Sequence, residues 1–179
     1  MRPLKYIPHY TVSDYNLWEG SWELIDGLPY SMSPSPVRRH QQLAALFTHQ
    51  LVSSVEKQKK CSNCIVVHEL DWIIDNTTVV RPDIAIICNE KGDFISSPPV
   101  LIVEILSPAT AFKDRQVKFD IYQEQGVKWY IIADTETKTY SIYLLSGKVY
   151  REQTAIETFA IHGSCKVQLD IEKALARLA

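Results

Sequence analysis

The sequence predicts an α/β fold in which a mixed β-sheet is flanked by helices. Three observations predict it. Val37–Glu56 carries an amphipathic helical pattern, with Leu43, Phe47, Leu51 and Val55 recurring every four residues. Three apolar, strand-like runs follow in series: Ile65–Ile74, Val79–Cys88 and Val100–Leu106. A helical stretch, Ala111–Gln125, then separates the third run from another apolar strand, Lys128–Ala133. Strand, helix and strand with short connections make a βαβ unit. Its two strands should therefore be parallel neighbours joined by a right-handed crossover.

The bulk numbers bound this reading. A chain of 179 residues is long enough for one domain with a proper core. Its 46% apolar and 22% charged content is ordinary for a globular protein. A net charge of −2 excludes a protein that coats nucleic acid through bulk basicity, so polyanion binding has to come from a local patch. The N-terminal stretch lacks the apolar core of a signal peptide, and no apolar run reaches bilayer length, which sets a cytoplasmic expectation. Cys61 and Cys64 form a lone C-x-x-C. A zinc site would want a second such pair, whereas Cys88 and Cys165 stand apart in apolar runs, so reduced thiols are expected.

The elements follow in chain order. Ser13–Glu19 suits a short helix, and Asp26-Gly27 is a two-residue hairpin signal between two short strands. Ser35 is a natural N-cap with Pro36 at the first helical position, opening the helix over Val37–Glu56. That helix ends in the basic stretch Lys57, Lys59, Lys60, where cations suit the C-terminal dipole. The tight turn Asp75–Thr77 should make the first two strands antiparallel. The nearly all-apolar Val100–Leu106 should lie at the sheet centre, buried on both faces. Gly126 fits the left-handed position after the second helix. A hairpin over Thr139–Leu145 and Lys148–Gln153 turns at Ser146-Gly147, and Asp170–Leu178 closes the chain as a helix capped by Asp170.

Two carboxylates interrupt apolar strands: Asp83 in RPDIAII and Glu104 in VLIVEIL. A buried carboxylate without a partner is costly and takes up a proton instead, so each calls for a cation. If their strands are adjacent, both meet at one sheet end, where two carboxylates with open coordination positions suit Mg²⁺. Lys118 shares a helix face with Asp114 and Tyr122, and that helix packs on the Glu104 strand. Its ammonium could hold a water nucleophile or steady charge growing on a phosphate. The same residues also read as a structural Glu104–Lys118 ion pair beside a strand-terminating Asp83.

These segments, RPDIAII, PPVLIVEILSPAT, DRQVKFDIY and GVKWYIIAD, together with WELIDGLPYSMSPSP and RRHQQL before them, closely resemble the Uma2 family (DUF820) from about Trp22 to Tyr143. The resemblance implies one restriction-endonuclease-like domain of the PD-(D/E)XK class over residues 1–179. Its αβββαβ core would span about residues 22–145, with extra hairpins at both ends. It further implies a Mg²⁺-dependent DNA endonuclease, with Mn²⁺ as a possible substitute. By position, Pro82-Asp83 matches the PD element and Glu104 the acidic residue of (D/E)-x-K. The motif lysine would fall at Leu106, and its place is taken by Lys118 on the helix. Glu23 and His40 match the family's N-terminal glutamate and first-helix histidine. The metal ligands implied are Asp83 and Glu104.

Arg38, Arg39, Lys57, Lys59, Lys60, Lys113 and Arg115 offer a surface for DNA phosphates, although Lys57–Lys60 also reads as a solvated helix end. No helix-turn-helix or zinc finger is visible. Cutting both strands commonly pairs two sites, so a homodimer is expected. Two other functions share these residues: a nucleic-acid-binding accessory protein of the same fold without cleavage, and a hydrolase of small phosphoesters.

Overall fold

Tight turns and broken strands, more than long regular elements, decide how this chain folds. The computed structural model describes residues 7–32, 37–107, 111–154 and 156–178. Helix α1 is one turn, Val12–Tyr15, held by a reciprocal capping box between Thr11 and Asp14, and is shorter than the predicted Ser13–Glu19. Strands β1 (Trp22–Ile25) and β2 (Leu28–Ser31) form the predicted hairpin. Asp26 and Gly27 both take positive φ, 50° and 75°, which is the two-residue turn that matches strand twist. A Cβ on Gly27 would sit 2.5 Å from the His9 ring, so this position needs glycine twice over. Helix α2 spans Arg38–Glu56 with Val37 as its N-cap; the predicted Ser35-Pro36 cap lies outside the described residues.

Two predicted strands are each split. Ile65–Ile74 becomes β3 (Cys64–His68) and β4 (Trp72–Asp75), separated at Glu69 with φ 48°. Val79–Cys88 becomes β5 (Thr78–Val80) and β6 (Ile84–Cys88), separated at Arg81-Pro82-Asp83, where proline has no N–H for a ladder. The breaks let each run serve two sheets. The order β2-β1-β5-β4 makes a small antiparallel sheet that takes in the N-terminal hairpin. The central sheet contains β3, β6 and β7 (Leu101–Leu106).

A helical stretch from Ala111 begins with a π-turn over Lys113–Val117 and continues as α3 (Lys118–Glu124), ending before Gly126 with φ 83°. Strand β8 (Trp129–Asp134) then pairs parallel with β7, as the βαβ reading requires. Strands β9 (Thr139–Ser146) and β10 (Val149–Gln153) complete the central order β10-β9-β8-β7-β6-β3. Their turn lies at Gly147-Lys148, one residue later than predicted. A further hairpin, β11 (Thr158–His162) with β12 (Cys165–Gln168), is not anticipated by the sequence reading. Helix α4 (Ile171–Ala176) follows, capped by Asp170, whose side chain accepts from Lys173 N–H at 2.8 Å. Asp170→Ala should cost about 1 kcal/mol of stability, measured by urea unfolding. No helix among the described residues is long and apolar enough to cross a membrane.

Strand alternation sorts the core into two layers. Leu101, Val103 and Ile105 of β7 pack with Leu43, Phe47 and Leu51 of α2. Ile102 and Leu106 face the other way, into the layer with Tyr122 of α3 and Val80 of the small sheet. Glu104 lies between Ile102 and Leu106 in this second set, so the pleat aims a carboxylate at α3.

The expected reduced thiols are corrected by the structure. Cys64 and Cys88 stand opposite one another in the β3–β6 pairing and form a disulfide. Cys61, in the turn after α2, bonds Cys165 at the start of β12 across 104 residues of sequence. Spacing alone hides this, because register and an unrecognised hairpin create both pairs. Such bonds persist in oxidising surroundings, unlike the thiols that a reducing cytoplasm keeps. Reduction with dithiothreitol should lower unfolding stability by about 2–4 kcal/mol, read by urea titration with and without reductant.

Candidate active site

All five residues singled out from the sequence meet in one chain of contacts. His40 Nε2 lies 3.2 Å from Asp83 Oδ2. The backbone N–H of Asp83 reaches Glu104 Oε2 at 3.4 Å. Lys118 Nζ donates to Glu104 Oε1 at 2.9 Å and pairs with Glu23 Oε1 at 2.8 Å.

Each group arrives by a local rule. His40 stands in the first turn of α2, on its buried face. Asp83 follows the Pro82 break, and its Oδ2 accepts from the Ile105 N–H at 2.7 Å, pinning the carboxylate across the β6–β7 pair. Glu23 comes from β1 and accepts the Arg81 N–H at 2.8 Å through Oε1. Lys118 also donates to the Arg81 carbonyl at 3.2 Å, so the strand break at Arg81 supplies backbone partners on both sides. The Arg81 guanidinium turns away to Asp71 at 2.6 Å.

The π-turn explains a pairing that the sequence reading missed. Residues five apart align on a π-turn rather than on an α-helix. Lys113 and Lys118 are five apart, and both ammoniums reach Glu23. Lys113 therefore belongs to the buried cluster and not to the predicted DNA-facing surface. Asp114 lies 3.7 Å from Lys118 at the ordinary four-residue spacing. Tyr122, one further turn along, donates to Glu104 Oε1 at 2.7 Å. Of the other predicted surface cations, Arg39 pairs with Glu136 at 3.8 Å and Arg115 with Asp134 at 3.7 Å.

Burial sets the electrostatics. Glu23, Glu104 and Lys118 are 0%, 2% and 2% exposed, and the Asp83 side chain, at 13%, is the most open carboxylate of the chain of contacts. Burial pushes the Glu104 carboxyl well up; Lys118 opposes that, while Asp114, Asp83 and Glu23 reinforce it. Burial also disfavours the Lys118 ammonium, yet Glu104, Glu23, Asp114 and Asp83 hold its pKa well above the ordinary lysine value. For Glu23 burial is again the largest influence, but Lys118 and Lys113 together outweigh it and hold the carboxyl below its usual range. Burial opposes protonation of His40, and Asp83, with Glu69 and Asp114 behind it, raises its pKa nonetheless.

Glu23, Asp83, Glu104 and Asp114 place four carboxyl groups around Lys113 and Lys118, a surplus of negative charge when all are ionised. Among the described residues no three His, Cys, Asp or Glu side chains assemble a cation cage. What Asp83 and Glu104 offer is narrower. Asp83 Oδ1 has no hydrogen bond among the described residues, and Glu104 Oε2 has only the long contact to the Asp83 N–H. Two hard oxygens that other donors leave largely free fit a cation that keeps most of its water, as Mg²⁺ does. They do not fit an ion that demands a full set of protein ligands.

A crystal structure described as "a putative nuclease belonging to DUF820" from Anabaena variabilis is similar over 94% of this chain and 99% of that one, with TM-score 0.75 and 16% identity. That likeness establishes the shared fold. No curated protein matches the chain in sequence. The Uma2 family, described as "Putative restriction endonuclease", matches residues 12–168, which include all five contacting residues, and the chain belongs to that family.

Proposed function

We propose that this protein is a Mg²⁺-dependent endonuclease that hydrolyses phosphodiester bonds of DNA. The observation that carries the reading is the unbroken contact sequence His40–Asp83–Glu104–Lys118 in a chain of a nuclease-class family.

Asp83 and Glu104 would hold the cation, with Mn²⁺ as a substitute. When bound, it supplies Lewis-acid polarisation of the phosphoryl group and eases deprotonation of a water at neutral pH. The remaining work falls to the protein. The Ile105 N–H and His40 fix Oδ2 of Asp83 and leave Oδ1 available. Tyr122 and Lys118 fix Oε1 of Glu104 and leave Oε2 facing Asp83. Lys118 is engaged by three carboxylates, so it acts as a positioning residue that holds Glu104, not as a group that touches the attacking water. Glu23 positions Lys118, and Lys113 balances Glu23. Cutting both strands calls for a second copy, so light scattering should give twice the 20.5 kDa chain mass.

The near-complete burial of Glu104 and Lys118 favours a second reading, a DNA-binding protein of the same fold that does not cleave. One experiment separates them. Purified protein is incubated with supercoiled plasmid in Mg²⁺, Mn²⁺ or EDTA, and both nicking and gel retention are scored. Nicking with either cation and none in EDTA is expected. Salt-sensitive retention without nicking under any condition would replace the first reading with the second.

A further inference from the structure

A cleft of about 620 Å³ opens between the C-terminal half of α2 and the β11–β12 hairpin. Ligand pockets of this size are usually lined mostly by apolar side chains. Among the described residues, every one that lines this cleft is of a polar type. His49, Ser53, Lys57 and Gln58 come from the α2 side, and Thr158 and Lys166 from the hairpin. Among the described residues no carboxylate lines it, in a chain whose net charge is −2. An oxyanion in the cleft meets the ammoniums of Lys57 and Lys166, with the hydroxyls of Ser53 and Thr158 beside them.

The two walls are fixed against each other. The Cys61–Cys165 disulfide ties the turn after α2 to the start of β12. Gln58 Nε2 donates to the Lys166 carbonyl, and the Gln168 N–H donates to Ser54 Oγ at 2.8 Å. Lys57 and Lys166 thus stand on opposite walls of a preorganised cleft. Along α2, the cleft around Ser53 lies about 20 Å from His40 at the ordinary helical rise. That separation puts it beyond the catalytic cluster but within reach of a nucleic acid bound there.

We propose that this cleft grips a backbone phosphate of DNA at a distance from the bond being cut, with Lys57 and Lys166 as its cationic contacts. The inference rests on the nuclease reading for the identity of the polyanion. Free inorganic phosphate shares the same chemistry, and the test separates the two sources.

Binding of a fluorescent DNA duplex is measured by anisotropy in EDTA across a salt series, for wild type and Lys57→Gln/Lys166→Gln. Both lysines are exposed, so the double variant should keep its fold. Losing two phosphate contacts should lower the magnitude of the log–log salt slope by about 2. In plasmid cleavage the variant should show a raised KM with kcat unchanged. An unchanged salt slope overturns the inference even if wild type cleaves DNA. A reduced slope upholds it even if no cleavage is seen, and then only the nuclease reading fails. Inorganic phosphate at millimolar concentration should shift the His49 ring resonances in the wild type no more than in the double variant. A shift that depends on both lysines, with duplex binding unaffected by their loss, would assign the cleft to free phosphate and overturn the DNA proposal.

Discussion

Lys118→Met should lower the unfolding free energy by about 3–5 kcal/mol, the cost of leaving buried charge without its partner. The substitution keeps the length of the side chain and removes the one ammonium shared by Glu23, Glu104 and Asp114. Among the described residues, Lys113 reaches only the Glu23 end. Glu104→Gln should behave differently. Lys118 keeps Glu23 and Asp114, and the variant removes a carboxyl whose ionisation burial already opposes. Its effect on stability near neutral pH should therefore be small or favourable. The pH dependence follows from the same directions. Glu23 is depressed in the folded state, so its contribution is complete above the unfolded value of about 4.3 and is lost as pH falls through the folded value. Lys118 is raised, so its contribution is complete below about 10.4 and is lost as pH rises through its folded value. Glu104 has the opposite sign: the unfolded chain releases its proton first, and stability declines as pH climbs above about 4.3. Urea unfolding at about pH 5 and about pH 8 should thus show Glu104→Gln gaining on wild type at the higher pH.

Asp83→Asn should leave stability nearly unchanged and lower DNA cleavage on the order of 10²–10³-fold, the scale seen when one electrostatic element of a catalytic site is removed. Asp83 is the most exposed carboxylate in the contact chain, so its charge bears least on folding. An amide oxygen still accepts from the Ile105 N–H and can still face His40, which preserves the β6–β7 junction. What is lost is the anionic Oδ1. Comparing the two variants therefore separates scaffold from chemistry: Lys118→Met acts first on the melting transition, and Asp83→Asn on the rate alone.

The order α2-β3-β6-β7-α3-β8 was legible in the sequence because long periodic runs and the strand–helix–strand spacing carry it. The strand breaks at Glu69 and Arg81-Pro82 were less legible. Each interrupted a continuous apolar run, and only pairing with the N-terminal hairpin shows that β4 and β5 leave the central sheet. Asp83, Glu104 and Lys118 stood out since charges inside apolar segments demand partners. Glu23 and His40 rested on family resemblance, since a hairpin glutamate and a helix-start histidine look ordinary by themselves. Sequence alone puts Lys113 on the surface, because its alignment with Lys118 depends on a π-turn. The disulfides required a register and a hairpin that no local pattern announced.

In the proposed reaction Asp83 and Glu104 serve a divalent cation at a site that cuts DNA. Single-turnover nicking of supercoiled plasmid, started by adding Mg²⁺ to equal amounts of folded wild type and Asp83→Asn, tests it most directly. Nicking by wild type is expected, with a rate lower by about 10²–10³-fold for the variant. Equal rates for the two proteins, or no nicking by wild type with either Mg²⁺ or Mn²⁺, would contradict it.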